Sequence, residues 1–298
     1  MKEQLVDLHI HSKYSFDGIL EIDELLTKAE KNKLSYFSIT DHNTTDAYKN
    51  DIPKFQKIFS GKLIPGVEIN AHIDGIPVEI LSYNHDINGM EKYLQTYFSD
   101  EKKRETHKKK IDFLFAKADE LKLEYDKNTP AINDIKIYPS ITFLNEIKKY
   151  PNNKNKIPQE AWDDQGIFYR QYFTNPDNEF WFFDISTIYP DSNELIKKIH
   201  QLNGFAFLAH PFEYNNKKTI ILLDKVSKQK IDGIECYHLS SQREKNKFLT
   251  DYASSHKLSM SGGSDFHGTF KARLNIIGDK DMSFKISQNV ITNWAKNI

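Results

Sequence analysis

The sequence predicts an α/β fold with an inserted, mostly helical subdomain, and three observations support this prediction. Short apolar runs alternate with amphipathic segments, which is the pattern of βα units. The chain has 298 residues, enough for one large α/β barrel or for two ordinary domains. Between about residues 90 and 180, no segment has the pattern of a strand in a βα unit, whereas apolar residues recur there at helical spacing.

The regular elements follow from the spacing of apolar residues. Two amphipathic segments, residues 22–31 and 193–202, are predicted helices because their apolar residues fall on one face. Seven short apolar runs are predicted strands: residues 5–10, 36–40, 62–69, 77–82, 205–209, 233–237 and 258–261.

The insert is predicted between the fourth and fifth of these strands. The charged run at residues 101–110 is followed by apolar positions at helical spacing, and a Trp- and Phe-rich stretch ends the region. The predicted domain limits are therefore residues 1–90 and 181–298 for a barrel, and residues 91–180 for a helical cap subdomain.

The composition gives no sign of a charge-driven partner or of export. The formal net charge is −1 and the pI is near 6.8, so no bulk attraction to nucleic acid or membranes is expected. Cys236 is the single cysteine, which excludes an intramolecular disulfide, and we interpret it as a buried strand residue. No run approaches ~20 apolar residues and the first residues lack a signal-peptide core, so we expect no membrane span and a cytoplasmic location.

Histidines and carboxylates cluster where predicted strands end, which is the edge at which barrel folds place active sites. Because alternate strand residues face the same way, His9 and His11 are expected to point into one cavity, and the same holds for Asp265 and His267 if their segment is extended. The other clusters are Asp41 with His42, Glu68, and His210 with Pro211.

Each cluster alone also fits a structural role. Asp41 is a common helix-cap residue type, His210-Pro211 fits a turn, and the glycine-rich segment at residues 262–268 fits a loop that starts a helix. Five clusters at five strand ends nevertheless predict a metal site. Imidazole and carboxylate ligands together suit Zn, Mn or Fe, and this many ligands can hold more than one ion.

The motifs resemble those of the polymerase and histidinol phosphatase (PHP) family of metal-dependent phosphoesterases. They are HxHSxxSxDG (9–18), ITDHN (39–43), PGVEI (65–69), LAHP (208–211) and GGSDFHG (262–268), in the family's order. The insert and the stretch DGIECY (232–237) further resemble the TrpH-like, ribonuclease AM-like branch, which includes 5′–3′ exoribonucleases and nucleotide phosphoesterases. The resemblance implies a distorted (β/α)7 barrel with two or three divalent ions, Mn, Zn or Fe.

The resemblance also implies a ligand set. The implied ligands of the first ion are His9, His11, Glu68 and Asp265. The implied ligands of the third ion are Asp17, His42 and His267. Glu68 would bridge the first and second ions, and His210 would bind the second. Asp41 is interpreted as a partner that orients a ligand histidine.

The second ion is where this chain departs from the family pattern. Glu79 stands where the family often has a histidine on the fourth strand, and a carboxylate favours a harder ion such as Mn over Zn. His85, in the following loop, is an alternative ligand. A loose alignment of the insert places Ser140 where the family often has another histidine. A two-ion enzyme is therefore open beside a three-ion one.

The implied activity is hydrolysis of phosphate esters of nucleotides or of short RNA or DNA 5′ ends, by a hydroxide that bridges two ions. Its partners would be a phosphorylated small molecule or a short nucleic acid end. The candidate catalytic residues are Asp265, His210 and His238. His238 could protonate the leaving oxygen, although an ordinary loop histidine is the alternative.

Basic and aromatic residues are candidates for substrate contacts. Guanidinium groups pair well with phosphate oxygens, so we consider three arginines, each with an exposed surface charge as the alternative: Arg273, Arg170 and Arg104. The lysine-rich residues 102–110 fit an exposed helix face or a guide for RNA. Trp181, Phe182 and Phe183 fit a core or a base-stacking platform.

Three other functions remain open from the sequence. One is a small-metabolite phosphatase of the histidinol-phosphate type, against which the size of the insert argues. Another is a degenerate, non-catalytic domain that binds a nucleotide, motivated by Glu79 and Ser140. The third is an amidohydrolase-type hydrolase, against which Glu68 and the added His267 argue.

Overall fold

The computed structural model describes residues 4–135, 137–214, 218–239, 241, 243–268, 275–281, 284–296 and 298. The chain divides into two compact units, and each has a hydrophobic core of its own. The first unit comprises Met1–Ile73, Val78–Gln95 and Pro190–Ile298, and the second comprises Asp74–Pro77 and Thr96–Tyr189.

The described residues form eight strands in two sheets. In hydrogen-bonded order the sheets are β1-β2-β3 and β4-β5-β6-β7-β8. The pairs β1/β2, β2/β3, β6/β7 and β7/β8 are parallel, whereas β5/β6 is antiparallel, and helices connect most of the strands, so the predicted α/β class is confirmed. The strands are β1 Leu5–Asp7, β2 Leu34–Phe37, β3 Lys62–Leu63, β4 Gly66–Ile73, β5 Ile76–Tyr83, β6 Phe205–Leu208, β7 Gly233–His238 and β8 Ser259–Gly263.

One predicted strand is wrong as a single element. Residues 62–69 form β3 and the start of β4, with Ile64 and Pro65 between them. The N–H of Ile64 donates to the carbonyl of Phe37, but Pro65 has no N–H with which to continue a ladder. The first strand is also shorter than predicted. After Asp7, successive backbone groups hydrogen-bond to different segments of the chain, so the strand pairing does not continue.

Twelve α-helices occur in the described residues, and none of them is long and apolar enough to cross a membrane. They are α1 Ile22–Lys31, α2 Asp46–Asn50, α3 Ile52–Phe55, α4 Ile87–Phe98, α5 Asp100–Glu120, α6 Pro139–Ile147, α7 Gln159–Asp163, α8 Gln165–Ile167, α9 Ser192–Gln201, α10 Thr219–Lys228, α11 Arg243–Ser255 and α12 Thr292–Ala295. Short 3₁₀ helices span Gln56–Ile58, Pro130–Asn133, Pro151–Lys156 and Gln288–Ile291, and a π-helix spans Phe168–Phe173.

Helices α1 and α9 confirm the amphipathic prediction. The apolar face of α1 is fully buried, and Glu21 and Glu24 form a reciprocal capping box at its start. The carboxylate of Asp191 accepts from two backbone N–H groups at the start of α9. Both helices cover apolar strands of the first unit, which leaves the carboxyl ends of those strands for polar side chains.

Single bridges link the two sheets next to those carboxyl ends. Ile10 pairs with Phe266, just beyond β8, and His42 pairs with Glu68 of β4. The N–H of Asp265 donates to the carbonyl of His9. Strand pairing in the described residues does not close into a barrel, but these bridges bring together the segments that carry the predicted ligands.

The second unit is mostly helical in its described residues. Its core is a cluster of buried side chains on α5, α6 and the segments after them, and it includes Phe143, Phe168 and Trp181. Trp181 is therefore a core residue, which excludes the stacking platform considered for it. Most of the lysine-rich first half of α5 is exposed.

Candidate metal centre

Four buried side chains form a first group of possible ligands: His9, His11, Glu68 and Asp265. Their ligand atoms all lie within 4.8 Å of one another. The Nε2 atom of His9 is 3.2 Å from Glu68 Oε2 and 3.3 Å from Asp265 Oδ1. The corresponding distances from His11 Nε2 are 3.3 Å and 3.0 Å. The structure thus brings together the four residues implied for the first ion.

The spacing and the burial of this group fit a cation. Ligands at about 2.0–2.1 Å from a tetrahedral metal lie about 3.3 Å from one another, close to the observed spacing. His9 Nε2, His11 Nε2 and Glu68 Oε2 are buried and make no hydrogen bond to the residues that the structure describes. Such atoms are costly to bury unless something else satisfies them, and a divalent ion would do so.

The hydrogen bonds made by the histidine rings fix which nitrogen faces the group. His9 Nδ1 is 3.0 Å from Glu235 Oε1, and an ionised carboxylate only accepts, so Nδ1 carries the proton. Ser15 donates its hydroxyl to Asp17, so its oxygen accepts from Nδ1 of His11. In both rings Nε2 is therefore the lone-pair nitrogen that a metal needs.

A second group is formed by Asp17, His42 and His267, together with the ring of His11. Asp17 Oδ2 is 3.2 Å from His267 Nε2 and 3.6 Å from His42 Nε2. His267 Nδ1 bonds to the carbonyl of Asp265, which again leaves Nε2 facing the carboxylate. We assign His11 to the first group, because its Nε2 is the atom that lies against Glu68 and Asp265.

Glu68 joins these residues to a third set around Glu79. Glu68 Oε2 faces His9, His11 and His42, while Oε1 is 2.9 Å from His210 Nε2. His210 Nε2 is also 3.3 Å from Glu79 Oε2, and the ligand atoms of His42, Glu68 and Glu79 are mutually close. A single carboxylate thus presents its two oxygens to different candidate ligands, as a ligand that bridged two ions would.

The charges in the centre favour cations. Burial alone would raise the pKa of Glu68, but the His9 and His42 rings and further hydrogen bonds hold it well below its usual range. Burial alone would lower the pKa of His210, yet the Glu68 and Glu79 carboxylates raise it to about 10. Burial and the nearby Glu68 charge raise the pKa of Glu79 to about 8. A bound cation would relieve this excess of carboxylates.

Two ligand positions depend on unusual backbone conformations. Asp265 has φ of 51° and His210 has φ of 22°, both in the left-handed region. The segment from Asp265 to His267 is therefore not extended, so the condition under which strand alternation would point both side chains into one cavity is not met. The turn at Asp265 instead sends its carboxylate to the first group and the His267 ring to the second.

Asp41 acts on a loop rather than on a ligand ring. Its carboxylate accepts from the backbone N–H of Ser12 at 2.6 Å and from the Ser12 hydroxyl at 2.7 Å. These bonds anchor the turn that directly follows His11. That Asp41 orients a ligand histidine stays a prediction, and its contacts with Ser12 support it because they fix the turn that follows His11.

Sequence reasoning missed Glu235. This carboxylate is fully buried in β7, where one oxygen contacts His9 Nδ1 and the other accepts from the N–H of His210 at 2.8 Å. Burial alone would raise the pKa of Glu235, but the His9 ring outweighs it and the pKa is lowered. An acidic residue alternating with apolar ones inside DGIECY was the available signal.

We expect Glu235→Gln to weaken binding of the first ion about 10- to 100-fold, the usual effect of losing a carboxylate behind a ligand histidine. The amide keeps the shape but removes the charge that holds the His9 proton on Nδ1. Calorimetric titration of metal-free protein with Mn²⁺ measures this. Glu91→Gln, which changes a carboxylate that binds Thr45, is the matched control. Equal affinity in both variants would contradict the role.

Three other residues singled out from the sequence lie in the described part of the first unit. His238 is buried, and its Nε2 is 3.1 Å from Asp265 Oδ2. Cys236 is buried, and burial raises the pKa of its thiol, as expected for an inert strand residue. His85 contacts the Ser82 hydroxyl at 2.9 Å and is in none of the ligand groups found among the described residues. Arg273 lies outside the described residues.

Five further candidates lie in the second unit. Arg104 and Arg170 are exposed there, as solvated charges are. Ser140 is buried on α6. Phe182 and Phe183, also in this unit, are partly buried.

Comparisons with known proteins agree with these observations. The family model described as "PHP domain" matches residues 7–294. A 5′-3′ exoribonuclease from Haemophilus influenzae is 26% identical over 265 residues, which cover 88% of this chain and 89% of that protein. A Thermotoga maritima protein assigned as a histidinol-phosphatase is 42% identical over 38 residues, 13% of this chain and 16% of its own.

Two solved structures share the fold. A Bifidobacterium adolescentis protein assigned as a metal-dependent phosphoesterase aligns with a TM-score of 0.63 and 18% identity, covering 96% of this chain and 94% of that one. An amidohydrolase from Chromobacterium violaceum, with bound sulfate and no metal, aligns with a TM-score of 0.64 and 19% identity, covering 91% and 90%. At these identities the likeness concerns the fold alone.

Proposed function

The chain belongs to the PHP domain family, and from that premise we propose that this metal-dependent phosphoesterase hydrolyses phosphate esters of nucleotides or of short oligonucleotide 5′ ends. The observation that supports this proposal most directly is the Glu68 carboxylate, whose two oxygens face different histidines. A carboxylate in that position suits two ions about 3.5–4 Å apart, the arrangement that serves phosphoryl chemistry.

The protein's residues would hold the ions and fix their surroundings. Divalent ions, when bound, would supply an activated water and positive charge for the phosphate oxygens. His9, His11, Glu68 and Asp265 would hold the first ion, and Asp17, His42 and His267 the third. Glu68, Glu79 and His210 would hold the second, and the two carboxylates among them favour Mn.

His238 supports Asp265 in this proposal. Its Nε2 atom contacts the carboxylate oxygen that faces away from the first group, and Glu213 lies 3.7 Å from its Nδ1. That contact supports an orienting role. Proton transfer to the leaving oxygen stays a prediction for His238, as do the catalytic roles of Asp265 and His210.

We also propose that the strands of the first unit form one distorted seven-stranded barrel, and that residues 91–180 act as its cap subdomain. The bridges Ile10–Phe266 and His42–Glu68 support the barrel, because they place β1 beside β8 and β2 beside β4. β3 pairs with β2 and is followed after two residues by β4, so β3 and β4 would share one place in the ring. Helical packing in the second unit supports the cap.

A small-metabolite phosphatase is the second candidate. The short match to the Thermotoga maritima protein favours it, whereas the match to the Haemophilus influenzae exoribonuclease extends over most of both chains. The longer match is the reason why nucleotide esters are preferred here.

We expect the purified protein, loaded with Mn²⁺, to release phosphate or mononucleotides from adenosine phosphates or 5′-phosphorylated oligonucleotides. Histidinol phosphate should be a poorer substrate by kcat/KM. Chelation with EDTA should abolish turnover, and restored Mn²⁺ should recover it, because the carboxylate and histidine groups have no other source of an activated water. Colorimetric phosphate release and chromatography of nucleotides measure both products.

Three results would contradict the proposal. Faster hydrolysis of histidinol phosphate would favour the metabolite phosphatase. Full activity after complete metal removal would exclude the metal centre. Tight Mn²⁺ binding without turnover of any ester would favour a non-catalytic, nucleotide-binding domain.

A further inference from the structure

Two apolar side chains stand exposed beside the second ligand group, and neither has a role in holding a metal. Phe16 is 52% exposed and Ile19 is 54% exposed. Phe16 directly precedes the candidate ligand Asp17, and Ile19 follows it by two residues. We refer to these two side chains as the Phe16–Ile19 ledge.

The ledge is attached to the ligand group by contacts on two sides. The Phe16 ring stacks on the ring of His42, with centroids 5.4 Å apart and an angle of 28° between the planes. Ile19 lies over Gly268, since a Cβ at that glycine would be only 2.7 Å from Ile19 Cγ1. Gly268 adjoins His267, so the ledge flanks both histidines that face Asp17.

The loop that carries the ledge is held in one conformation. The N–H of Lys13 donates to the carbonyl of Leu20, and the N–H of Gly18 donates to the carbonyl of Ser15. A Cβ at Gly18 would lie 2.1 Å from the carbonyl oxygen of Ser12, so the turn needs glycine there. The loop therefore presents Phe16 and Ile19 as a preformed surface.

A ligand that covered these side chains would gain free energy from burying their apolar surface. Removing apolar surface from water stabilises by about 25 cal/mol per Å², and the loop leaves about half of each side chain in contact with solvent. Isolated exposed apolar residues are ordinary on proteins. Here, however, two of them stand together on an ordered loop, against rings that would hold a phosphate-binding ion.

We propose that the Phe16–Ile19 ledge binds the nucleobase of the nucleotide whose phosphate ester is hydrolysed. The inference rests on the proposed function and adds a specificity element to it. A base is flat and apolar on its faces, so it can stack on Phe16 while Ile19 covers its edge, and every base has such a face. The ledge would therefore select for a base without selecting which one.

The test compares matched substrates that differ only in the base. One pair is adenosine 5′-monophosphate and ribose 5-phosphate; the other is a 5′-phosphorylated trinucleotide with adenine or an abasic sugar at its first position. In the Mn²⁺-loaded enzyme, Phe16→Ala should raise KM for the base-bearing member about 5- to 150-fold, the range that base stacking gives. The KM for the base-free member should change less than twofold.

Two further variants make the test specific. Phe16→Tyr should retain the wild-type preference because it keeps the aromatic face. Ile221→Ala, which truncates a half-exposed residue on α10, should change neither substrate and controls for loss of exposed apolar surface. The proposal would be overturned if Phe16→Ala changed KM equally for both members of a pair, or changed KM for neither.

A binding measurement separates failure of the ledge from failure of the proposed function. In Phe16→Trp, adenosine should quench tryptophan fluorescence beyond the wild-type response, and ribose should not, because only adenosine can stack. Adenosine carries no ester phosphate, so this readout does not depend on turnover. Quenching without turnover of any ester would reject the proposed function and retain the ledge. Turnover of nucleotides without quenching would retain the proposed function and reject the ledge.

Discussion

Replacing Glu68 by glutamine is expected to lower kcat on any accepted phosphate ester by about 10³-fold or more. A bound metal contributes several kcal/mol of transition-state charge stabilisation, and each 1.36 kcal/mol is about tenfold in rate. Glu68→Gln keeps the size of the side chain but removes the charge from a carboxylate that contacts His9, His42 and His210 together. Steady-state kinetics of the purified variant measures kcat, and elemental analysis measures the number of bound ions.

The number of bound ions should fall in the same variant, because a neutral amide is a poor bridge between two cations. Glu91→Gln is again the matched control, since Glu91 is also buried in the first unit but hydrogen-bonds to Thr45 instead of a histidine. That variant should keep its ions and its rate. A Glu68→Gln enzyme with the full ion content and a normal kcat would remove the basis of the metal assignment.

Truncating Phe143 to alanine should destabilise the second unit by about 3–5 kcal/mol, the usual effect of removing a buried aromatic ring. Phe143 is fully buried, and its ring packs against those of Phe115, Phe168 and Trp181. The cavity left by Phe143→Ala would be lined by other aromatic rings that cannot collapse into it. Denaturant unfolding followed by tryptophan fluorescence is suited to this measurement, because Trp181 lies in the same cluster.

An exposed residue of the same unit provides the comparison. Ile135 is 47% exposed, so Ile135→Ala should change the free energy of unfolding by no more than about 0.5 kcal/mol. If both variants unfold at the same denaturant concentration as the wild type, the cluster around Phe143 does not stabilise the unit.

The parts of the centre that sequence could predict are those governed by strand alternation. His9 and His11 alternate along the continuation of β1, and their rings lie 5.2 Å apart on one side, as the spacing required. For the two histidines, local pattern and final position agree. Glu68 was expected near the end of a strand but lies three residues into β4, where its backbone bridges to His42.

The parts that could not be predicted depend on backbone turns and distant contacts. The left-handed conformation of Asp265 directs its carboxylate and the His267 ring into different ligand groups, and no periodicity indicates such a turn. Glu235 gains its role only because β7 lies beside β8 and β6, which brings it to His9 and His210. The exposure of Phe16 follows from a loop closed by backbone hydrogen bonds, whereas its residue type alone would favour burial.

The chain order of the ligands has a consequence for the time at which the centre can form. His9 and Glu235 are 226 positions apart, and Asp7 accepts from the N–H of Ser264 across 257 positions. During translation the ribosome therefore delivers the paired histidines first and Asp265 long afterwards. Until the segment after β8 has been synthesised, the nascent chain holds only an incomplete set of candidate ligands for the first ion. The candidate centre thus cannot assemble while the strands from β1 to β8 are being synthesised.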